Sequence, residues 1–193
     1  MKEFQLNGSL RTETGKKFAK QIRREERVPA IVYGGKENVM ISLLESDLRG
    51  IIFTPEVFVI DLNIDGKSIK TIIKEMQFHP VSDKILHMDL LQIHDDKKLT
   101  IALPVKLVGS AEGAKQGGKL ALNTRKLRVS GFPKDLPEML EVDVTDLGLG
   151  KSRTVQQLSF DKFEIIDPKS TVVATVKLTR AARGAAQAEA TKK

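Results

Sequence analysis

Lys16, Lys17, Lys20, Arg23 and Arg24 fall within one arc when plotted as a helix at about 100° per residue, and Phe18 and Ile22 take the opposite side. Like charges at i and i+4 destabilise an isolated helix by about 0.2–0.5 kcal/mol per pair, so the pattern works against local stability unless a polyanion offsets it. Arg11 closes the alternating segment before this stretch, and Tyr33 closes the one after it. A guanidinium and a phenol hydroxyl suit phosphate and ribose contacts, so both can join the cationic arc on one binding surface. The same arc also reads as an ordinary solvated helix face.

His87 and Asp89 sit two apart in an extended segment and so share a face. The carboxylate accepts hydrogen bonds from base amino groups or ribose 2′-hydroxyls, and a neutral imidazole donates and accepts. The other readings are a plain polar sheet face or a catalytic pair acting on an anionic substrate. Catalysis is the weaker of these, because no Ser or Cys nucleophile motif accompanies the pair. Gly113-Ala114-Lys115-Gln116-Gly117-Gly118-Lys119 has the glycine and lysine spacing of a phosphate loop, but Leu120 stands where Ser or Thr must meet magnesium. It is read as a flexible glycine loop. His79, His87 and His94 lack thiolate companions and short ligand spacing, so neither a metal nor a cofactor is expected.

The chain of 193 residues is comfortable for two domains, and 40% hydrophobic content is enough for two cores. A net charge of +7 and a pI near 9.5 point to nucleic acid or another anionic surface. With no Trp and Tyr33 the only tyrosine, a broad base-stacking platform is unavailable. The lack of cysteine excludes disulfides, thiolate nucleophiles and zinc knuckles, and fits a reducing compartment. No apolar run has signal-peptide or bilayer-spanning length, so a cytoplasmic protein without a membrane partner is expected.

These side chains need elements to carry them. Phe4, Leu6 and Leu10 alternate as a strand, Gly15 opens a short helix that Glu25-Glu26 close, and Pro29 bars its continuation. Val28 to Tyr33 and Val39 to Leu43 read as strands. Leu44, Leu48, Ile51 and Ile52 take helical spacing as far as Thr54-Pro55. Asp65-Gly66 between two β-branched runs predicts a two-residue type I′ hairpin. Ile85 to Ile93 then makes a strand with Leu86, Met88 and Leu90 on one side and His87 and Asp89 on the other. The class expected is mainly β with short helices, the first domain being a small closed or nearly closed sheet over residues 1–94. A second β-rich domain is expected over 95–179, with strands at Leu99 to Val108, Leu127 to Ser130, Glu141 to Val144, Phe163 to Ile166 and Thr171 to Lys177. Residues 180–193 form a low-complexity tail without large apolar residues.

The order of these residues resembles the long form of the bacterial 5S-ribosomal-RNA-binding protein of the large ribosomal subunit, the general stress protein Ctc family. In the first domain the likeness rests on Arg11, Gly15-Lys16, Arg23-Arg24, Pro29-Ala30, Val32-Tyr33-Gly34, Asp65-Gly66, Gln77, His79-Pro80 and His87-Met88-Asp89. In the second it rests on Pro104-Val105, Leu107-Val108-Gly109, Ala111-Glu112-Gly113, Gly117-Gly118, Leu136-Pro137-Glu138, Glu141-Val142-Asp143-Val144, Leu147 and Gly150. The resemblance implies a six-stranded β-barrel lying along the widened minor groove of loop E of 5S rRNA. It also implies that Arg11, Arg23, Tyr33, His87 and Asp89, with Gln77, take the family's RNA-holding positions. Lys16, Lys17, Lys20 and Arg24 would supply the salt-dependent attraction. Implied partners are 5S rRNA, the large subunit and neighbouring ribosomal proteins, in the cytoplasm and on the ribosome. An alternative is a stress-induced RNA-binding factor only partly resident there. Family tails are often acidic, whereas this one is mixed and slightly basic.

Overall fold

A computed structural model of the protein describes residues 1–160 and 162–179, so the tail expected at 180–193 lies outside the described residues. The chain divides into two compact units, one made of Met1–Leu99 with Phe132–Glu138, the other beginning at Thr100–Gly131 and resuming at Met139.

Unit 1 runs β1 (Lys2–Leu10), α1 (Lys16–Arg24), β2 (Arg27–Tyr33), β3 (Val39–Leu44), α2 (Glu45–Ile52), β4 (Phe58–Ile64), β5 (Lys67–Phe78) and β6 (Ile85–Gln92). The six strands close into a barrel in the order β1-β3-β2-β6-β5-β4, with β4 pairing back onto β1. β1 and β2 are both antiparallel to β3 and therefore run the same way, so the chain must return along the barrel between them. α1 lies in that return connection. Alternation sends Leu6, Val28, Ala30, Val32, Ile41, Leu43, Ile60, Leu62, Met88 and Leu90 inward, where they fill the barrel with side chains. Leu48 and Ile51 of α2 join the same core, as their helical spacing predicts. Asp65 (φ 48°) and Gly66 (φ 83°) turn β4 into β5 with the positive φ at both positions that a type I′ turn requires.

Two bulges decide which way the last strands present their polar residues. Ile73 pairs with Leu90 and Glu75 with Asp89, so Lys74 is an extra residue on β5. Gln77 pairs with His87 and Phe78 with Ile85, which makes Leu86 the extra residue on β6. The second bulge corrects the expected alternation. Leu86 does not share the inward side of Met88 and Leu90, because Ile85 takes the buried position and Leu86 is only half-buried.

Phe132–Glu138 packs within unit 1 although it lies far along the chain. Leu136 is buried there, Lys134 pairs with Asp95 at 3.5 Å, and the Glu138 carboxylate lies 3.8 Å from the Met1 amino group.

Unit 2 contains two sheets. One has the order β10-β7-β9-β12, from β7 (Leu99–Val108, whose first residue belongs to unit 1), β9 (Lys126–Gly131), β10 (Leu140–Asp143) and β12 (Glu164–Ile165). The other has the order β11-β13-β8, from β8 (Lys119–Leu122), β11 (Ser152–Thr154) and β13 (Val172–Lys177). The segment read as a flexible glycine loop is instead tightly built. It holds a one-turn helix, α3 (Glu112–Lys115), and runs straight into β8. A Cβ on Gly113 would stand 2.5 Å from the Gly148 carbonyl carbon and the Leu149 nitrogen, and the Gly118 amide donates to the Gly113 carbonyl at 2.8 Å. Gly113 and Gly118 therefore serve close backbone approach, while Gly117 takes a positive φ of 85°.

Candidate nucleic-acid interface

α1 is amphipathic in the sense expected, but its packed side is shallow. Phe18, Ala19, Ile22 and Arg23 are half-buried, whereas Lys16, Lys17, Lys20 and Arg24 are exposed. None of these four exposed cations forms an ion pair among the described residues. Gly15 at the N-cap offers no side-chain acceptor, and the first turn carries lysines with no acidic residue. Positive charge there opposes the helix dipole, so the N-terminal turn is stabilised by neither its cap nor its charges, whereas Arg23 and Arg24 complement the dipole in the last turn. An anion laid against this face relieves both deficits.

Arg23 stands apart from the exposed cations. Its Nε and Nη2 donate to the Leu86 carbonyl oxygen at 3.0 and 2.8 Å. Leu86 is the bulged residue of β6, so its carbonyl falls where the ladder with β5 is interrupted, and the guanidinium receives it. Two of the five guanidinium N–H groups are used in this fork, and three remain to donate elsewhere. The helix is thereby fastened to the strand that carries His87 and Asp89.

On the outer face of that strand, His87 Nδ1 lies 2.8 Å from Asp89 Oδ1, with both side chains about one-third exposed (31% and 33%). When Nδ1–H donates to the carboxylate, Nε2 of the neutral ring remains an acceptor. Gln77 is the direct cross-strand partner of His87, which the sequence reading reached only through family likeness. Glu75, which that reading missed, is the partner of Asp89. On the other flank Ile31 is the β2 partner of Asp89, and Tyr33 lies two residues further along the same side. Burial first, and then the nearby Asp89 and Glu75 carboxylates, push the Tyr33 phenol above its ordinary value of 10.0. Ile31 pairs in turn with Met40, whose carbonyl accepts the Arg11 backbone N–H at 2.9 Å. Arg11 Nε donates to the Glu13 carbonyl at 2.7 Å, leaving its terminal nitrogens to point elsewhere. A register row thus runs from Arg11, the residue after β1, through Met40, Ile31 and Asp89 to Glu75, across the neighbouring strands β3, β2, β6 and β5.

The other histidines hold loops. His79 Nδ1 accepts the N–H groups of Val81 and Ser82, and His94 Nε2 lies 2.8 Å from the Gly34 carbonyl. Arg27, absent from the sequence reading, ties three strands by donating to Ser9 Oγ, Ser42 Oγ and the Ser42 carbonyl. Among the described residues no group of three or more His, Cys, Asp or Glu side chains could hold a metal, and no helix is long and apolar enough to cross a membrane.

A small side-chain-filled barrel thus carries polar side chains on its outer face beside a clamped cationic helix. Comparison with known proteins gives the family. Residues 6–90 match the Ribosomal L25p family, and residues 98–180 match the C-terminal domain of ribosomal protein TL5. Two similar proteins, each named large ribosomal subunit protein bL25, come from Porphyromonas gingivalis and Azobacteroides pseudotrichonymphae. The first is 50% identical over 96% of this chain and 98% of its own length; the second is 50% identical over 95% and 97%. A third of the same name, from Phocaeicola vulgatus, is 46% identical over 96% of this chain and 98% of its own. The chain belongs to the ribosomal L25p family, a family of ribosomal proteins and not of enzymes.

Proposed function

We propose that this protein is a non-enzymatic component of the large ribosomal subunit that holds 5S rRNA in its loop E region, with neighbouring ribosomal proteins as further partners. The observation that carries the reading is the Arg23 fork on Leu86, which joins the cationic helix to the strand bearing His87 and Asp89. Lys16, Lys17, Lys20 and Arg24 provide sequence-independent attraction to phosphates, each contact releasing counterions. Arg11, Arg23, Tyr33, Gln77, His87 and Asp89 offer directional donors and acceptors that set the register on base edges and riboses. The family of the relatives and the residue pattern quoted for the sequence support the choice of RNA. A titration of the full chain with 5S rRNA and with a scrambled hairpin of equal length tests it. Selective binding, with loop E protected in chemical footprinting, is the expected result; equal binding to both RNAs overturns it.

A further inference from the structure

Glu75 places a carboxylate on the face just described, where a polyanion makes negative charge unfavourable unless a donor meets it. The Lys74 bulge brings it there. A regular strand with Ile73 inward would turn Glu75 inward too, whereas the extra residue puts Glu75 opposite Asp89 and Gln77 opposite His87. Like charges directly opposite on adjacent strands destabilise the free protein. Asp89 is relieved by His87, but Glu75 is exposed and forms no hydrogen bond or ion pair among the described residues. Its charge also acts on Tyr33, which places it within the same group of side chains. An ionised carboxylate only accepts hydrogen bonds, so what satisfies it must be a donor. The shallow minor groove of RNA offers one such base-edge donor, the guanine N2 amino group.

We propose that Glu75 accepts a hydrogen bond from a guanine amino group of the bound RNA, beside the donor that meets Asp89, so that β5 and β6 together read two neighbouring donors. This rests on the reading that the face binds 5S rRNA. The two outcomes for Glu75→Ala have opposite signs. A bystander carboxylate repels phosphate, so its removal tightens binding; a carboxylate that accepts from guanine weakens binding when removed. We expect Glu75→Ala in the full chain to weaken 5S rRNA binding about tenfold, with an unchanged salt slope. Glu75→Gln, which keeps a carbonyl acceptor without charge, is expected to fall between it and the parent. Replacing loop E guanosines one at a time by inosine, which lacks the amino group, should find one position that weakens the parent and leaves Glu75→Ala unaffected. Parent-like or tighter binding by Glu75→Ala, with Asp89→Ala still impaired, overturns the proposal and leaves the RNA face standing. Loss of discrimination against the scrambled hairpin by the parent chain itself overturns the face instead. A urea unfolding transition matching that of the parent verifies that the variant is folded.

Discussion

The guanidinium of Arg23 forks onto the carbonyl of Leu86, so a helical cation repairs a defect in a strand. This gives Arg23 a structural role that the solvent-facing lysines beside it lack, in addition to the binding role proposed for it. Arg23→Ala should lower unfolding stability by about 1–2 kcal/mol, since a half-buried carbonyl loses a charge-assisted partner. Arg23→Lys keeps the charge but cannot form the fork and still present spare N–H groups. We expect it to recover part of the stability in urea unfolding and little of the RNA affinity. Full recovery of both would mean that the charge alone matters.

Lys20 and Asp89 separate the two kinds of contact. Lys20 is exposed without an ion pair, so Lys20→Ala should reduce the slope of log affinity against log salt by about 0.7–0.9 if it meets one phosphate. Asp89 is an anion and neutralises no phosphate, so Asp89→Ala should weaken cognate RNA binding with the slope unchanged. Titrations at a series of salt concentrations measure both, and equal slope changes would contradict the division of labour.

Tyr33 is the only tyrosine in a chain without tryptophan, so its ionisation can be followed directly by absorbance. Its midpoint should lie above 10.0, because burial and then the Asp89 and Glu75 carboxylates oppose the phenolate. Asp89→Asn should lower it toward the ordinary value. The sign for stability follows from proton binding. Above the unfolded-state value the native chain holds its proton more tightly than the unfolded chain, so stability falls as pH rises through and beyond 10.0. Below that range Tyr33 contributes no pH dependence. Tyr33→Phe should remove this alkaline component of the unfolding profile.

The strands of the barrel, β5 only as far as Ile73, both of its helices and the Asp65-Gly66 hairpin were legible because each is announced by local periodicity or a local φ requirement, whereas the Lys74 bulge breaks the alternation that would have announced the rest of β5. The helix face bearing Lys16, Lys17, Lys20 and Arg24 was legible for the same reason. What stayed hidden depends on partners distant in the chain. Whether Leu86 or Ile85 turns inward is decided by β5, and the outward turn of Glu75 by the extra Lys74 set against β6. Arg27 reads as one more basic residue until Ser9 and Ser42 are brought beside it. The attachment of Phe132–Glu138 to unit 1 leaves no local signature either, since a buried Leu136 between two prolines looks like any loop.

Gly66 and Gly113 distinguish conformational freedom from close approach. At Gly66, with φ 83°, nothing lies within 4 Å of an added Cβ, so Gly66→Ala should cost only the left-handed backbone penalty of about 1–2 kcal/mol. That loss belongs to the barrel. Gly113 has no such φ restriction, but its Cβ would overlap the backbone at Gly148 and Leu149, which cannot rotate aside as a side chain can. Gly113→Ala should therefore cost about 1–3 kcal/mol or more, and all of it within unit 2. Hydrogen exchange resolved by segment should show weakened protection at Lys119–Leu122 and Val172–Lys177 in that variant, with Val28–Val32 unchanged. RNA binding should persist in it, because every side chain of the candidate face belongs to unit 1.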